Sequence, residues 1–387
     1  MAADRGFGPG QAERAYKEIL REGRTEAFAG GGRLVARARI APIVREMSEE
    51  VPEGTTTKFV QRLDDMPRPA DTGRAIDEHH LGVLRGNGRV DHLDIESVII
   101  PMIGRTGTRT HTLCVSSQIG CAMGCGFCET AQMGLVRSLT AEEIVGQWWA
   151  ARHIKGAGSG IGIDNIVFMG MGEPLDNARE VIRAIEVLTD RNGPGIAMSR
   201  ITISTVGRVD GLRLLDEKVR EHGWHRLGLA VSVNAPNDEV RDGLMPINKK
   251  YDMAELRDAL MNFRRGVNRM LCFEYVLIPG VNDTREHARQ LAAYLEPFKA
   301  TEGRSATGLV NVIPYNPRRD SPWPAPEEED VTAFIHWLGD EGLYVKRRRT
   351  KGRRMMGACG QLGTAEIRGR KLVGVTIGGS AAEEAAC

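Results

Sequence analysis

Three cysteines, Cys121, Cys125 and Cys128, stand at C-x-x-x-C-x-x-C spacing in a chain of 387 residues. On one tight loop this spacing brings three thiolates to three irons of a cubane cluster. The fourth iron is left open to a ligand, whereas clusters that only transfer electrons are held by four cysteines. Ala122, Gly124 and Gly126 let the loop wrap closely, and Phe127 can shield the group from water. A zinc site would want a fourth Cys or His at finger-like spacing, and no His lies between His111 and His153. Buried structural thiols would not need the spacing. The expectation is a [4Fe-4S] cluster, with zinc and unliganded thiols as the alternatives.

The elements that must carry this loop follow from periodicity. From residue 110 onward strand-like and helix-like segments alternate, the pattern of a parallel sheet with crossover helices. Strands are expected at Thr110–Val115, Asn165–Met169, Arg200–Thr205, Leu227–Val233, Met270–Leu277 and Leu309–Pro314. Thr140-Ala-Glu-Glu143 is a capping box opening a helix through Trp148, Trp149 and Ile154. Asn177 is placed to cap the next helix, and others are expected at Gly211–Arg220, Met253–Arg264 and Thr284–Leu295. Six such units predict an α/β fold, a partial open (β/α)6 barrel whose functional groups gather at the C-terminal strand ends. Gly170-Met171-Gly172-Glu173-Pro174, Ser204, Ser232, Asn234 and Asn316 all fall at such ends.

Residues 1–52 read as helical, with amphipathic segments at Gln11–Leu20 and Ile40–Met47. Thr55–Leu63 and Ile95–Pro101 read as strands, separated by a Gly- and Pro-rich loop over Asp64–Leu93 that holds His79 and His80. Adjacent histidines point to opposite sides of a strand, so a solvated loop is the reading there. The domains expected are a helical unit (1–54), a β-rich extension (55–109), a core (110–350) and a C-terminal extension (351–387) ending in a frayed tail.

Composition is ordinary for a globular protein, with 41% hydrophobic and 27% charged residues. No apolar run approaches the ~20 residues of a membrane span, and no secretory leader is read at the start of the sequence. Seven cysteines, three of them clustered, argue for a reducing cytoplasm over a disulfide framework. Net charge is only +1, yet Lys346–Arg354 concentrates cations close before Cys359. A solvated face and a phosphate-binding patch are both open readings of that run.

Several longer strings occur in consistent order from about Glu96 to Leu362. They are Thr112-Leu-Cys114-Val-Ser-Ser-Gln-Ile-Gly-Cys121, the cysteine loop itself, Gly170-Met-Gly-Glu-Pro174, Ala235-Pro-Asn-Asp238, Pro246-Ile-Asn-Lys-Lys-Tyr251 and Ala358-Cys-Gly-Gln-Leu362. Together they resemble the RlmN/Cfr family of radical S-adenosylmethionine (SAM) methyltransferases, most closely its RlmN branch. Those enzymes act on an adenine of large-subunit ribosomal RNA and, for some RlmN members, on transfer RNA.

The resemblance implies a cluster on Cys121, Cys125 and Cys128, with SAM held by Gly172, Glu173, Ser204, Ser232, Val233, Asn234 and Asn316. Glu173 would accept hydrogen bonds from the SAM ammonium. It further implies that Cys359 is methylated by one SAM and that a second SAM yields the 5′-deoxyadenosyl radical that activates the S-methyl group. Cys114 then resolves the adduct, leaving a disulfide to be reduced, and Glu96 stands near the target base. Two departures are visible. Ser232-Val233-Asn234 replaces the usual Ser-Leu-His, and Arg353-Arg354-Met355-Met356-Gly357 replaces a loop that is acidic in many relatives.

The function expected is methylation of adenosine carbon 2 in 23S rRNA, and in tRNA for an enzyme of dual range. Carbon-8 methylation of the Cfr type, a radical-SAM reaction on a peptide or small molecule, and a non-catalytic metal-stabilised RNA-binding module are the alternatives. The partners expected are RNA and an electron donor such as flavodoxin or ferredoxin, with a cytoplasmic monomer and no membrane contact.

Overall fold

The computed structural model describes residues 8–28, 32–63, 93–104, 106–155, 162–263 and 270–363. The loop read over 64–93, with His79 and His80, lies outside them apart from Leu93, as does the tail to Cys387. Helix α1 (Pro9–Leu20) is followed by a short antiparallel pair, β1 (Glu26–Phe28) and β2 (Leu34–Arg37). Ala15 packs with Ala27 and Val35 in a small cluster of its own. The expected second helix over Ile40–Met47 is instead largely strand β3 (Ile43–Val51). Ile40, Ile43 and Met47 have helical spacing, but half-buried side chains at 47, 49 and 51 alternate with exposed ones at 48 and 50. Pairing decides the matter: a turn at Pro52–Glu53 returns the chain into β4 (Gly54–Arg62), whose β-branched Thr55, Thr56 and Thr57 lie opposite Glu50, Glu49 and Ser48.

Strands β5 (Asp94–Ile103) and β6 (Arg109–Cys114) continue this antiparallel meander. A ribbon of β7 (Gln118–Gly120) and β8 (Leu135–Ser138) then brackets the cysteine loop and the single turn α2 (Glu129–Gln132). Helix α3 (Ala141–Trp149) opens on the expected capping box, with Thr140 Oγ1 accepting from Glu143 N and the Glu143 carboxylate accepting from Thr140 N. It runs into a π-helix over Ala150–Lys155, where Trp149 Nε1 donates to the Ile19 carbonyl at 2.8 Å and the His153 ring meets that of Leu20 at 2.9 Å. The N-terminal unit is thereby moored to the core.

The alternation then proceeds through β9 (Asn165–Phe168), α4 (Ala178–Thr189), β10 (Ile201–Thr205), α5 (Val209–Val219), β11 (Gly228–Ser232), α6 (Asp238–Leu244) and α7 (Met253–Asn262). It ends with β12 (Leu271–Leu277), α8 (Arg285–Tyr294), β13 (Gly308–Pro314), α9 (Glu328–Asp340) and β14 (Val345–Arg347). These strands form one ten-stranded sheet in the order β14-β13-β12-β11-β10-β9-β6-β5-β4-β3. From β6 to β14 it is parallel, and its two edges do not meet. The six expected parallel strands are present, and the short β14 adds a seventh.

The parallel strands read as apolar runs because both faces are covered. Ile201, Ile203, Leu229, Val231, Phe273, Val310 and Val312 are all buried. Helix α4 adds Val181, Ala184, Ile185 and Leu188, an i, i+3, i+4, i+7 stripe, to the same core. Each larger member of that stripe contributes about 1.5–3 kcal/mol. Asn177 does not cap this helix. Its side-chain amide donates to the Ser117 and Leu139 carbonyls at 2.9 and 2.7 Å, fastening the helix start beside the ribbon.

Candidate active site

The cysteine loop is clamped at its base by the β7–β8 ribbon, where Cys121 N donates to the Gly134 carbonyl at 2.9 Å. Gly120 has φ +70°, and a Cβ there would lie 1.8 Å from that carbonyl oxygen, so no other residue fits. Inside the loop Cys128 N donates to Cys125 O, and Gly126 N donates outward to Leu244 O at 2.9 Å. Met123 and Phe127 pack with Leu244, Met245 and Ile278, giving the loop an apolar backing. The three thiols line one pocket. Burial raises the pKa of each, and the Cys125 charge raises that of Cys121 further. Among the described residues no three His, Cys, Asp or Glu are grouped as a single metal ion would require. The fit of a cluster therefore rests on the donor set, three soft sulfurs lining one pocket, whose deprotonation a metal would drive.

The Gly170–Pro174 segment follows β9 as expected. Gly172 has φ +98°, and a Cβ there would come 2.5 Å from that of Gln118. Gln118 accepts from Glu173 N at 2.9 Å, locking the turn to the cysteine-bearing ribbon. The Glu173 carboxylate is 2% exposed and accepts from Leu175 N and Val206 N, both at 2.9 Å. Burial pushes its pKa from an ordinary 4.5 to about 7, against the pull of those donors. Ser204 and Ser232 donate to Glu274 Oε2 at 2.8 and 3.4 Å. Asn234 takes the left-handed conformation, φ 55°, and its Oδ1 accepts from Val276 N at 2.9 Å. That amide bonding splices β11 to β12. Val233 is fully buried behind the wall. Asn316 Oδ1 is buried with no partner among the described residues, an acceptor suited to an ammonium, hydroxyl or amino donor such as SAM presents. Gly172, Glu173, Ser204, Ser232, Asn234 and Asn316 line the same pocket as the three cysteines, and Val233 does not.

Cys359 lines this pocket too. Its segment is pinned to the cysteine loop, with Glu129 N donating to Gly360 O at 2.7 Å and Thr130 Oγ1 to Leu362 O at 2.5 Å. Cys114, at the end of β6, is buried; burial and then the Cys359 charge push its thiol up to about 12. The six described cysteines are all free thiols. Glu96 is not a surface residue at a strand end. It lies within β5, 3% exposed, 2.8 Å from Lys58 Nζ, and accepts from Gly363 N at 3.0 Å. It meets the Cys359 segment through that bond and does not line the pocket.

Two residues at the site escaped sequence reasoning in these roles. Glu274 lines the pocket and pairs with Arg348 at 3.1 Å. The Cys359 thiol is the largest cause raising the Arg348 pKa, and Arg348 in turn opposes the burial that pushes Cys359 up. A carboxylate inside the apolar run Leu271–Leu277 was the legible signal for Glu274. Cys272 is half-buried; burial followed by the Glu274 charge pushes its thiol up to about 12. The basic run is not a uniform solvated face. Arg347 pairs with Glu328, Arg349 and Lys351 with Glu53 at 3.5 and 3.4 Å, and Arg353 donates to Tyr315 O.

Comparison with known proteins finds radical SAM relatives. The radical SAM superfamily profile matches residues 115–292. "Probable dual-specificity RNA methyltransferase RlmN 1" of Protochlamydia amoebophila is 45% identical over 286 residues, 73% of this chain and 73% of that protein. The dual-specificity RNA methyltransferase RlmN of Lawsonia intracellularis is 41% identical over 70% of this chain and 73% of its own length. The crystal structure of a radical SAM methyltransferase from Sphaerobacter thermophilus superposes with a TM-score of 0.74 at 32% identity, covering 93% of this chain and 94% of that one.

Proposed function

The chain belongs to the RlmN family of radical SAM RNA methyltransferases, which use a [4Fe-4S] cluster and SAM, and from that premise we propose that it methylates carbon 2 of adenosine in 23S rRNA and in tRNA through a methyl-cysteine. One observation carries the reading. Cys359 shares a pocket with Cys121, Cys125 and Cys128. A structural thiol would have no reason to sit there.

When bound, the cluster supplies an electron and SAM supplies the methyl group and the hydrogen-abstracting radical chemistry. The residues of the chain do the rest. Cys121, Cys125 and Cys128 hold the cluster. Gly172 lets the backbone come close, Glu173 and Asn316 offer acceptors to the SAM ammonium and polar edges, and Ser204, Ser232 and Asn234 shape the wall between. Val233 supports them from behind. Arg348 favours the thiolate of Cys359, the form that takes a methyl group by displacement. Once the Cys359 carbon is joined to the base, Cys114 attacks the Cys359 sulfur. The carbon–sulfur bond breaks, the carbon takes a proton to become methyl, and a Cys114–Cys359 disulfide remains for an external thiol to reduce. Glu96 is the carboxylate assigned to the target base, reached from the Gly363 end of the segment.

In this reading the N-terminal unit helps to hold RNA, a flavodoxin or ferredoxin delivers the electron, and the enzyme is a cytoplasmic monomer. Among the described residues no helix is long and apolar enough to cross a membrane. The test is mass spectrometry of RNA nucleosides from cells lacking and then regaining the protein. Restored 2-methyladenosine is the expected product; 8-methyladenosine would establish the Cfr-type reaction instead, and no RNA product would end the proposal.

A further inference from the structure

Two buried arginines lie on segments that reach the cysteine loop, and neither pairs with a carboxylate among the described residues. Arg241, on α6, is 0% exposed. Its guanidinium donates to Val233 O at 3.1 Å, Asn248 Oδ1 at 2.8 Å, Val206 O at 2.6 Å and Ser232 O at 3.4 Å. Arg318, 5% exposed, donates to Gly126 O at 2.8 Å and to the Arg319 and Asp320 carbonyls at 2.9 and 3.3 Å. Every acceptor is neutral. Asp238 and Asp242 reach Arg241 through the amide of Asn248, which donates to both. Beside Arg318, the Glu129 carboxylate is engaged by Arg319.

A carbonyl cage satisfies the N–H groups of a buried cation but does not cancel its charge, and an uncompensated buried charge carries a heavy desolvation penalty. The missing negative charge is close by. Arg318 bonds the loop itself between Cys125 and Cys128. Helix α6 ends on the same loop, where Leu244 O accepts from Gly126 N and Leu244 and Met245 pack with Cys121 and Cys125.

We propose that Arg241 and Arg318 are the counter-charges of the three-thiolate cluster and set its reduction potential, holding it more positive than the thiolates alone would. The inference rests on the three-cysteine cluster described above. Reduction adds an electron to a group that is already anionic, and a fixed cation in a low-dielectric surround favours the added charge. The two arginines are separable. Arg318 also positions the loop through Gly126, whereas Arg241 makes no hydrogen bond to it, so the effect of Arg241 is one of charge.

The experiment reconstitutes wild type, Arg241→Gln, Arg241→Lys and Arg318→Gln anaerobically and measures iron and sulfide. Each protein is then titrated with titanium(III) citrate, which gives one electron per cluster, and followed by electron paramagnetic resonance without SAM or RNA. Arg241→Gln should keep its cluster while the reduction equilibrium falls at least tenfold, ~59 mV for a one-electron couple. Arg318→Gln should fall in the same direction, and Arg241→Lys should stay within about threefold of wild type because the charge remains. Wild-type potentials in both glutamine variants would overturn the proposal. Should Arg241→Gln not fold, Arg241→Lys decides: a value near wild type supports the proposal and a tenfold fall overturns it. A wild-type protein that takes up no iron and sulfide would instead overturn the cluster reading itself.

Discussion

The Arg348 guanidinium and the Glu274 carboxylate stand 3.1 Å apart, and through this pair one cation of a basic run is turned inward to Cys359. Glu274 Oε2 accepts from Ser204 as well, so the arginine is held from the floor of the pocket. Removing it should move the titration of Cys359 to higher pH, because burial would then act unopposed. Near neutral pH the thiolate fraction drops about tenfold for each unit of that shift. Iodoacetamide labelling of the Cys359 peptide, followed by mass spectrometry across pH, should show this for Arg348→Met and a smaller change for Arg348→Lys. An unchanged profile would remove Arg348 from the mechanism.

Losses of Cys114 and Cys359 should differ in kind. Cys359→Ala removes the carbon carrier, so neither methylated RNA nor a protein–RNA adduct should form. Cys114→Ala leaves the carrier and should trap RNA on Cys359 through a one-carbon bridge, seen as a slow-migrating, nuclease-sensitive band. Normal turnover by a folded Cys114→Ala protein would rule the methyl-cysteine route out.

The ion pairs of the basic run sort its members. Arg348 is spent inside the site, whereas the side chain of Arg349 is 79% exposed and Arg354 is exposed. Arg349→Gln with Arg354→Gln should flatten the slope of log affinity against log salt for single-stranded RNA by about 1.4 if both touch phosphate. Arg348→Gln should leave the slope alone. The reverse pattern would make Arg348 an RNA contact.

Glu173 gives a pH signature to the cluster-free protein. Its folded value near 7 lies above the ordinary 4.5, so between them the native chain holds a proton that the unfolded chain has lost. The stability it contributes is complete below the unfolded value and disappears as pH rises through the folded one, on the order of 3 kcal/mol in all. Urea unfolding from about pH 5 to about pH 8 should show that decline, flattened in Glu173→Gln. Equal slopes in the two proteins would mean that Glu173 is ionised throughout.

Local pattern carried much of the site into view. Cys121, Cys125 and Cys128 announce themselves by spacing, the Thr140–Glu143 box marks a helix start, and the strand ends mark the pocket. Where the reading failed, tertiary pairing had the deciding vote. Ile43–Val51 carries both a helical and an alternating pattern, and only its partner β4 selects the second. Nothing along the sequence near Arg348 says that Glu274, on another strand, will claim it. Arg241 looks like any helix-surface cation, because the carbonyls that cage it come from Val206, Ser232 and Val233 at other strand ends.

Thr130 and Leu362 are hydrogen-bonded across 232 positions of sequence, and that span has a meaning in time. On a ribosome adding ~5–20 residues per second, the loop of Cys121 precedes the segment of Cys359 by roughly 10–50 s. During that interval the three thiols lack the wall that Gly360 and Leu362 bring to them. The Gly360–Leu362 segment then closes over them. The order of the chain alone thus leaves the cysteine loop waiting for the wall that will cover it.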